Sequence, residues 1–226
     1  DQRRHAGVDR IDGFDGAASH LAWRERVRSA RQTVPETWAA LRKENTQPIH
    51  PLRVCQAVQP YLDDGAMFVS DGGEFGQWVQ AGLDASTRLI NGPSGAIGSA
   101  IPIAVGAKKV DTTRSVFAFV GDGTFGYHGM ELDTAVRYDL PIVVIVGNDA
   151  RWNAEHQLQI NTYGPDRTVG CELLLSRYDR VAEALGGYGV FVEDLEELDA
   201  AGQVDLDLSV RGSMDSPRID GVFRVQ

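Results

Sequence analysis

The chain has 226 residues, 42% of them hydrophobic, and a formal charge of −10, enough for one α/β domain of ordinary size with flanking segments. The acidic balance argues against nucleic acid or an anionic membrane as partner, and no apolar run approaches the ~20 residues of a membrane span. No stretch reads as a signal peptide, and the two cysteines, Cys55 and Cys171, are far apart, so the sequence predicts a cytoplasmic protein with buried reduced thiols.

Residues 1 to about 47 are rich in Arg and Asp, with Trp23 and Trp38 as isolated anchors and short helical patterns at Leu21–Ala30 and Glu36–Lys43. They carry no glycine-rich turn or metal-ligand spacing and read as a linker that packs on something else. A domain follows over 48–201. It opens with an amphipathic helix, Pro51–Leu62, whose Leu52, Cys55, Val58 and Leu62 fall at helix spacing. A strand over Ala66–Val69 then runs into Ser70-Asp71-Gly72-Gly73-Glu74-Phe75-Gly76, a glycine turn that closes a strand and opens a helix. Such a turn presents unpaired backbone N–H groups to an anion; an ordinary βα loop is the plain alternative. Arg88–Ile90 predicts a short strand, Asn91 to Gly98 a loop, and Ala100–Ala107 a small-residue helix.

The stretch from Ser115 to Asp149 is the most informative. Val116–Val120 is an apolar strand, Gly121-Asp122-Gly123 a tight turn, and Gly129, Leu132, Ala135 and Val136 lie at helix spacing. Pro141 ends that helix and Ile142–Val146 is a second buried strand, closing at Gly147-Asn148-Asp149. A right-handed βαβ crossover brings both turns to the carboxyl edge of a parallel sheet. A glycine turn opening a helix suits a phosphate, yet Asp122 stands inside it. A carboxylate ~4 Å from a phosphate costs about 4 kcal/mol per charge pair even at a surface-like dielectric. A hard divalent cation reverses the sign: Mg²⁺ takes one or two side-chain oxygens plus phosphate oxygens, and Asp122 with Asp149 or Asn148 supplies the protein's share. Gly121, Gly123 and Gly126 also fit G-x-G-x-x-G, so a dinucleotide site of a nicotinamide-dependent oxidoreductase is the competing reading, and a plain βαβ unit a third.

Beyond that unit, Trp152, His156 and Gln157 are candidates for the substrate side, His156 because its pKa suits proton transfer near neutrality; a surface histidine is the alternative. Tyr178–Leu185 predicts a helix, Val190–Val192 a strand, and Asp194–Ala201 a further helix. In 202–226, Val204, Leu206, Leu208 and Val210 alternate with polar residues and a second alternating run follows a Gly/Pro turn, which predicts an amphipathic β-hairpin.

On GDG at 121–123 followed by Asn148-Asp149, the sequence resembles the pyrophosphate-binding domain of acetolactate synthase-like thiamine diphosphate enzymes. Asp149 lies 27 positions after Asp122, the family's ligand spacing, although it replaces the usual asparagine. The resemblance implies a three-layer, doubly wound, mostly parallel sheet, with thiamine diphosphate and Mg²⁺ as cofactors. Metal ligands would be Asp122, Asp149 and the Arg151 carbonyl. The diphosphate would meet the main chain of Gly73, Glu74 and Phe75, and Gly121, Gly123, Thr124 and Asn148. Gly95 would offer its carbonyl to the aminopyrimidine, and Ile97 would wedge the bend between the two rings. The activating glutamate would come from a separate pyrimidine-binding domain, in a homodimer or homotetramer whose active site is shared between chains. That reading gives a carboligase or lyase of 2-keto acids or 2-hydroxyacyl substrates, with a small-molecule substrate; a truncated, non-catalytic cofactor-binding remnant is the alternative.

Overall fold

The structure, a computed structural model, describes residues 17–32, 35–44, 46–92, 94–198 and 221–225. The chain divides into two units, Asp1–Ala40 and Leu41–Gln226. In the first, α1 (Ala17–Gln32) carries exposed Leu21 and Trp23, with the Arg26 guanidinium 5.7 Å from the Trp23 ring, and α2 (Glu36–Leu41) begins next.

The second unit follows the expected βα alternation. Helices α3 (Pro51–Asp63), α4 (Gly73–Gly82), α5 (Ala100–Val110), α6 (Asp122–His128), α7 (Glu131–Arg137), α8 (Asn153–Tyr163) and α9 (Tyr178–Ala184) surround six strands. The strands are β1 (Met67–Ser70), β2 (Thr87–Ile90), β3 (Val116–Gly121), β4 (Val143–Gly147), β5 (Tyr188–Val192) and β6 (Gly221–Val225). They form one sheet in the order β2-β1-β3-β4-β6-β5, with every neighbouring pair parallel. The central strands are buried on both faces, which is why they read as continuous apolar runs.

Alternate strand residues feed two cores. Val69, Val116, Ala118, Val120, Val144 and Val146 pack with Ile101, Ala104, Leu132 and Ala182 of α5, α7 and α9. Phe68, Phe117, Phe119 and Ile145 pack on the other face with Val54, Val58 and Val79 of α3 and α4. This is the predicted three-layer doubly wound arrangement. The chain leaves β1 for β2 on one side and returns to place β3 on the other, so α4 and α6 fall on opposite faces and a crevice opens at the carboxyl ends of β1 and β3.

Three elements differ from expectation. The helix after β3 is two helices: Gly129 lies beneath the Phe125 ring, where a Cβ would come within 2.4 Å, and the chain tightens there to i→i+3 bonds from Leu132 to Gly129 and Asp133 to Met130. Residues 153–163, without an assigned element in the sequence, form α8, none of whose residues is buried, so no apolar stripe marks it. The expected terminal hairpin needs a correction: 204–210 lies outside the described residues, but the second run forms β6, parallel to β4 on one side and β5 on the other. With both edges occupied, it cannot pair with a preceding arm. Cys55 and Cys171 are buried free thiols, and burial pushes the Cys55 thiol up to about 12. Among the described residues no helix is long and apolar enough to cross a membrane.

Candidate functional site

Three turns meet at the carboxyl edge of the sheet: 71–75 after β1, 121–124 after β3 and 147–155 after β4. Together they line one cleft. The first turn depends on Gly73, whose φ of +80° suits glycine, and it starts α4, so the first-turn N–H groups lack intrahelical partners. In the second, the Thr124 hydroxyl accepts from the Gly121 N–H and donates to the Gly121 carbonyl, both at 3.0 Å, which fixes the start of α6. The Trp152 ring covers Gly123, where a Cβ would sit 2.7 Å from ring atoms.

Asp122 is 3% exposed. Its Oδ1 accepts from the Gly123 N–H at 2.9 Å and its Oδ2 from the Arg151 N–H at 3.1 Å. The same Arg151 N–H reaches Asp149 Oδ1 at 3.2 Å, so the two carboxylates converge on one donor. One N–H cannot neutralise two anions. The Asp122 carboxyl is pushed up to about 6, chiefly by burial and then by the Asp149 charge. That of Asp149 is raised by burial and then by Glu74.

The loop after β4 is bent to make this meeting. Ala150 is held at φ 57°, a left-handed conformation costing a non-glycine residue about 1–3 kcal/mol. The Asn148 side-chain Oδ1 accepts from the Ala150 N–H at 3.3 Å. Trp152 donates to the Cys171 carbonyl at 2.8 Å and Leu173 to the Ala150 carbonyl at 2.7 Å, on either side of an antiparallel bridge between Arg151 and Glu172. In that pattern both main-chain groups of Arg151 face away from 171–173. Its N–H meets the carboxylates, and its carbonyl turns to the same side. Asn148 is buried, and its amide also donates to the Ser176 carbonyl at 3.0 Å; it braces the turn and does not line the cleft.

Of the predicted residues, Gly73, Glu74, Phe75, Gly121, Asp122, Gly123, Thr124, Asp149, Arg151 and Trp152 line the cleft together. Ile97 packs across Gly72, its Cγ2 2.9 Å from where a Cβ would stand. Gly95 occupies an exposed turn at φ +65°. Gln157 is exposed on α8, its amide 3.3 Å from Asn153 Oδ1, and neither it nor His156 lines the cleft. The first residues of α8, Asn153 to Glu155, do. Among the described residues no three His, Cys, Asp or Glu side chains form a self-contained metal site, so a cation here must draw oxygens from the main chain and from its ligand.

Sequence reasoning overlooked Asp71. This fully buried carboxylate accepts from the N–H groups of Gly72 at 2.8 Å, Gly98 at 2.9 Å and Ala100 at 3.1 Å, tying the 91–99 loop and the start of α5 to the first turn. His128 Nδ1 meets the Gly98 carbonyl at 2.8 Å from the other side. Gly147 lies under Phe75, where a Cβ would come 2.3 Å from ring Cγ. Gly147→Ala is therefore expected to cost about 1–3 kcal/mol, read as a lowered thermal midpoint, by driving Phe75 out of the cleft wall.

Residues 64–209 match the family model of the thiamine pyrophosphate enzyme C-terminal TPP binding domain. The chain belongs to that family. It is 34% identical over 187 residues to a probable acetolactate synthase of Mycobacterium bovis, covering 81% of this chain and 34% of that protein. It is 32% identical over 189 residues to the 2-hydroxyacyl-CoA lyase 2 of Mus musculus, covering 80% of this chain and 29% of the other. The chain thus spans about a third of the length of these relatives. A Rhodococcus jostii thiamine diphosphate-dependent 4-hydroxybenzoylformate decarboxylase shares the fold, with a TM-score of 0.67 and 23% identity over 79% of this chain and 32% of that one.

Proposed function

We propose that this chain binds thiamine diphosphate through Mg²⁺ and forms the pyrophosphate-binding part of a carboligase or lyase acting on 2-keto acids or 2-hydroxyacyl compounds. The observation that carries the reading is the convergence of Asp122 and Asp149 on the single N–H of Arg151. Two carboxylates held together at a helix start, both binding protons more tightly than a free carboxylate, repel each other until a cation joins them. Asp122, Asp149 and the Arg151 carbonyl give three protein oxygens, and the diphosphate adds its own, which matches the demand of Mg²⁺. A dinucleotide reading leaves that pair of charges without a purpose.

When bound, thiamine diphosphate supplies a carbanion and an electron sink for making or breaking a bond next to a carbonyl. The chain's own work is to hold and orient it. The first turns of α4 and α6 would offer N–H groups to the diphosphate, Ile97 would wedge the bend between the two rings, and the Trp152 ring covers Gly123 in the cleft. Trp152, at the cleft, is the candidate substrate contact, with His156 and Gln157 further along α8. The glutamate that activates the aminopyrimidine comes from a pyrimidine-binding domain, in a homodimer or homotetramer whose site is shared between chains. The relatives' names support the substrate class: one is named a probable acetolactate synthase, another a 2-hydroxyacyl-CoA lyase.

Calorimetric titration of the full chain tests this. Thiamine diphosphate is expected to bind in the presence of Mg²⁺ and not in EDTA, while NAD does not bind in either. Metal-independent binding of NAD would defeat the proposal in favour of the dinucleotide reading.

A further inference from the structure

The cleft holds more carboxylates than a single cation site needs: Glu74 and Glu155 line it besides Asp122 and Asp149. Glu74, in the first turn of α4, lines it beside Asp122 and Asp149. Its Oε1 accepts from the Trp78 indole at 3.4 Å, at the long end of hydrogen bonding. Its Oε2 is shielded from solvent and has no hydrogen-bond partner. A polar oxygen left in that state is costly. Yet Glu74 does not close a three-side-chain cage with the other two. A fit between these facts exists for Mg²⁺, which dehydrates reluctantly and keeps several waters when protein-bound. Those waters are hydrogen-bond donors, and a carboxylate set back from the ion is their natural acceptor.

Resting on the cofactor reading above, we infer that Glu74 is an outer ligand of the cation, accepting from metal-bound water through Oε2 and making diphosphate binding strictly dependent on a divalent ion. Two effects follow from its single negative charge. With the cation present, Glu74 strengthens cation binding. Without it, Glu74 repels the diphosphate, adding to the repulsion by Asp122 and Asp149. A neutral side chain in its place weakens the first and relieves the second.

Glu74→Gln keeps an acceptor for the Trp78 indole and removes only the charge, so folding is preserved, and a thermal melt checks that it is. The probe is Mn²⁺, whose free signal in electron paramagnetic resonance reports binding without any turnover, titrated with thiamine diphosphate or inorganic pyrophosphate. The variant is expected to bind Mn²⁺ about tenfold more weakly, equivalent to about 1.4 kcal/mol, and to bind pyrophosphate in EDTA more tightly than the wild type. Unchanged values for both would overturn the inference and leave Glu74 as a partner of Trp78 alone. Asp122→Asn, run alongside, separates the levels. If the wild type takes up Mn²⁺ and this variant does not, the cation site stands and Glu74 is judged on its own; if the wild type takes up none, the cofactor reading fails with the inference.

Discussion

Asp122→Ala is expected to lower Mg²⁺-dependent thiamine diphosphate affinity at least about a hundredfold, or about 3 kcal/mol, measured by calorimetry at neutral pH. The side chain is the most deeply placed of the four cleft carboxylates: it stands on the first residue of α6, and its Oδ2 faces the Arg151 N–H that Asp149 shares. Alanine removes a ligand that no neighbour can replace, because Asn148 is committed to Ser176 and Ala150. It also leaves the α6 helix start intact, since the Thr124 hydroxyl, not Asp122, closes onto Gly121. Unchanged affinity in a folded variant would remove Asp122 from the metal's ligands.

The same carboxylate sets a pH dependence in the cofactor-free protein. Its pKa of about 6 in the fold lies above the ordinary value of 3.8, so the folded state holds the proton more tightly than the unfolded chain. The ionised form is therefore a burden on the fold. It is absent below about pH 4, grows as pH rises through the interval up to about 6, and is complete above it. Because the cleft opens to solvent, its size is about 1–2 kcal/mol, less than the full shift would give. Asp122→Asn is expected to gain stability relative to the wild type as pH rises from 4 to 7, read as a widening gap between urea midpoints. Saturating Mg²⁺ and thiamine diphosphate close that gap by neutralising the wild-type carboxylate. A gap independent of pH would contradict the raised pKa.

The sequence disclosed the parts of the fold that burial enforces. Val116–Gly121 and Val143–Gly147 are strands with no exposed residue, so composition alone marks them, and a charge between two glycines of a strand-to-helix turn marks Asp122. Helix α8 buries nothing and left no such trace. Asp71 was hidden for a different reason: its partners Gly98 and Ala100 come 27 and 29 positions later and offer only backbone N–H groups, which no residue type announces. The left-handed Ala150 is equally silent, since nothing in an alanine foretells that the loop must bend there to bring Arg151 to Asp122. The placement of β6 between β4 and β5 depends on the free edges those strands present, a property of the folded sheet and not of residues 221–225. Local chemistry was legible; the contacts that aim it are long-range and made by the main chain.

Asp71→Ala is expected to cost about 2–5 kcal/mol of stability, about 1–3 kcal/mol for each buried N–H group left without its acceptor. Three N–H groups lose their acceptor, and those of Gly98 and Ala100 lie in buried surroundings without access to replacement by solvent. Asp71→Asn keeps the shape but not the pattern: one amide face must present its NH₂ to a backbone N–H, so it recovers part of the loss and not all of it. The effect should also be local. Asp71 is what holds the 91–99 loop, with Ile97, against the turn that starts α4, and His128 grips that loop only from the opposite side. Hydrogen exchange at Gly98 and Ala100 is therefore expected to accelerate more than exchange in β3 under conditions where both variants remain folded. Uniform acceleration across the sheet would mean that Asp71 supports the domain as a whole, and that the coupling of the 91–99 loop to the turn before α4 rests elsewhere.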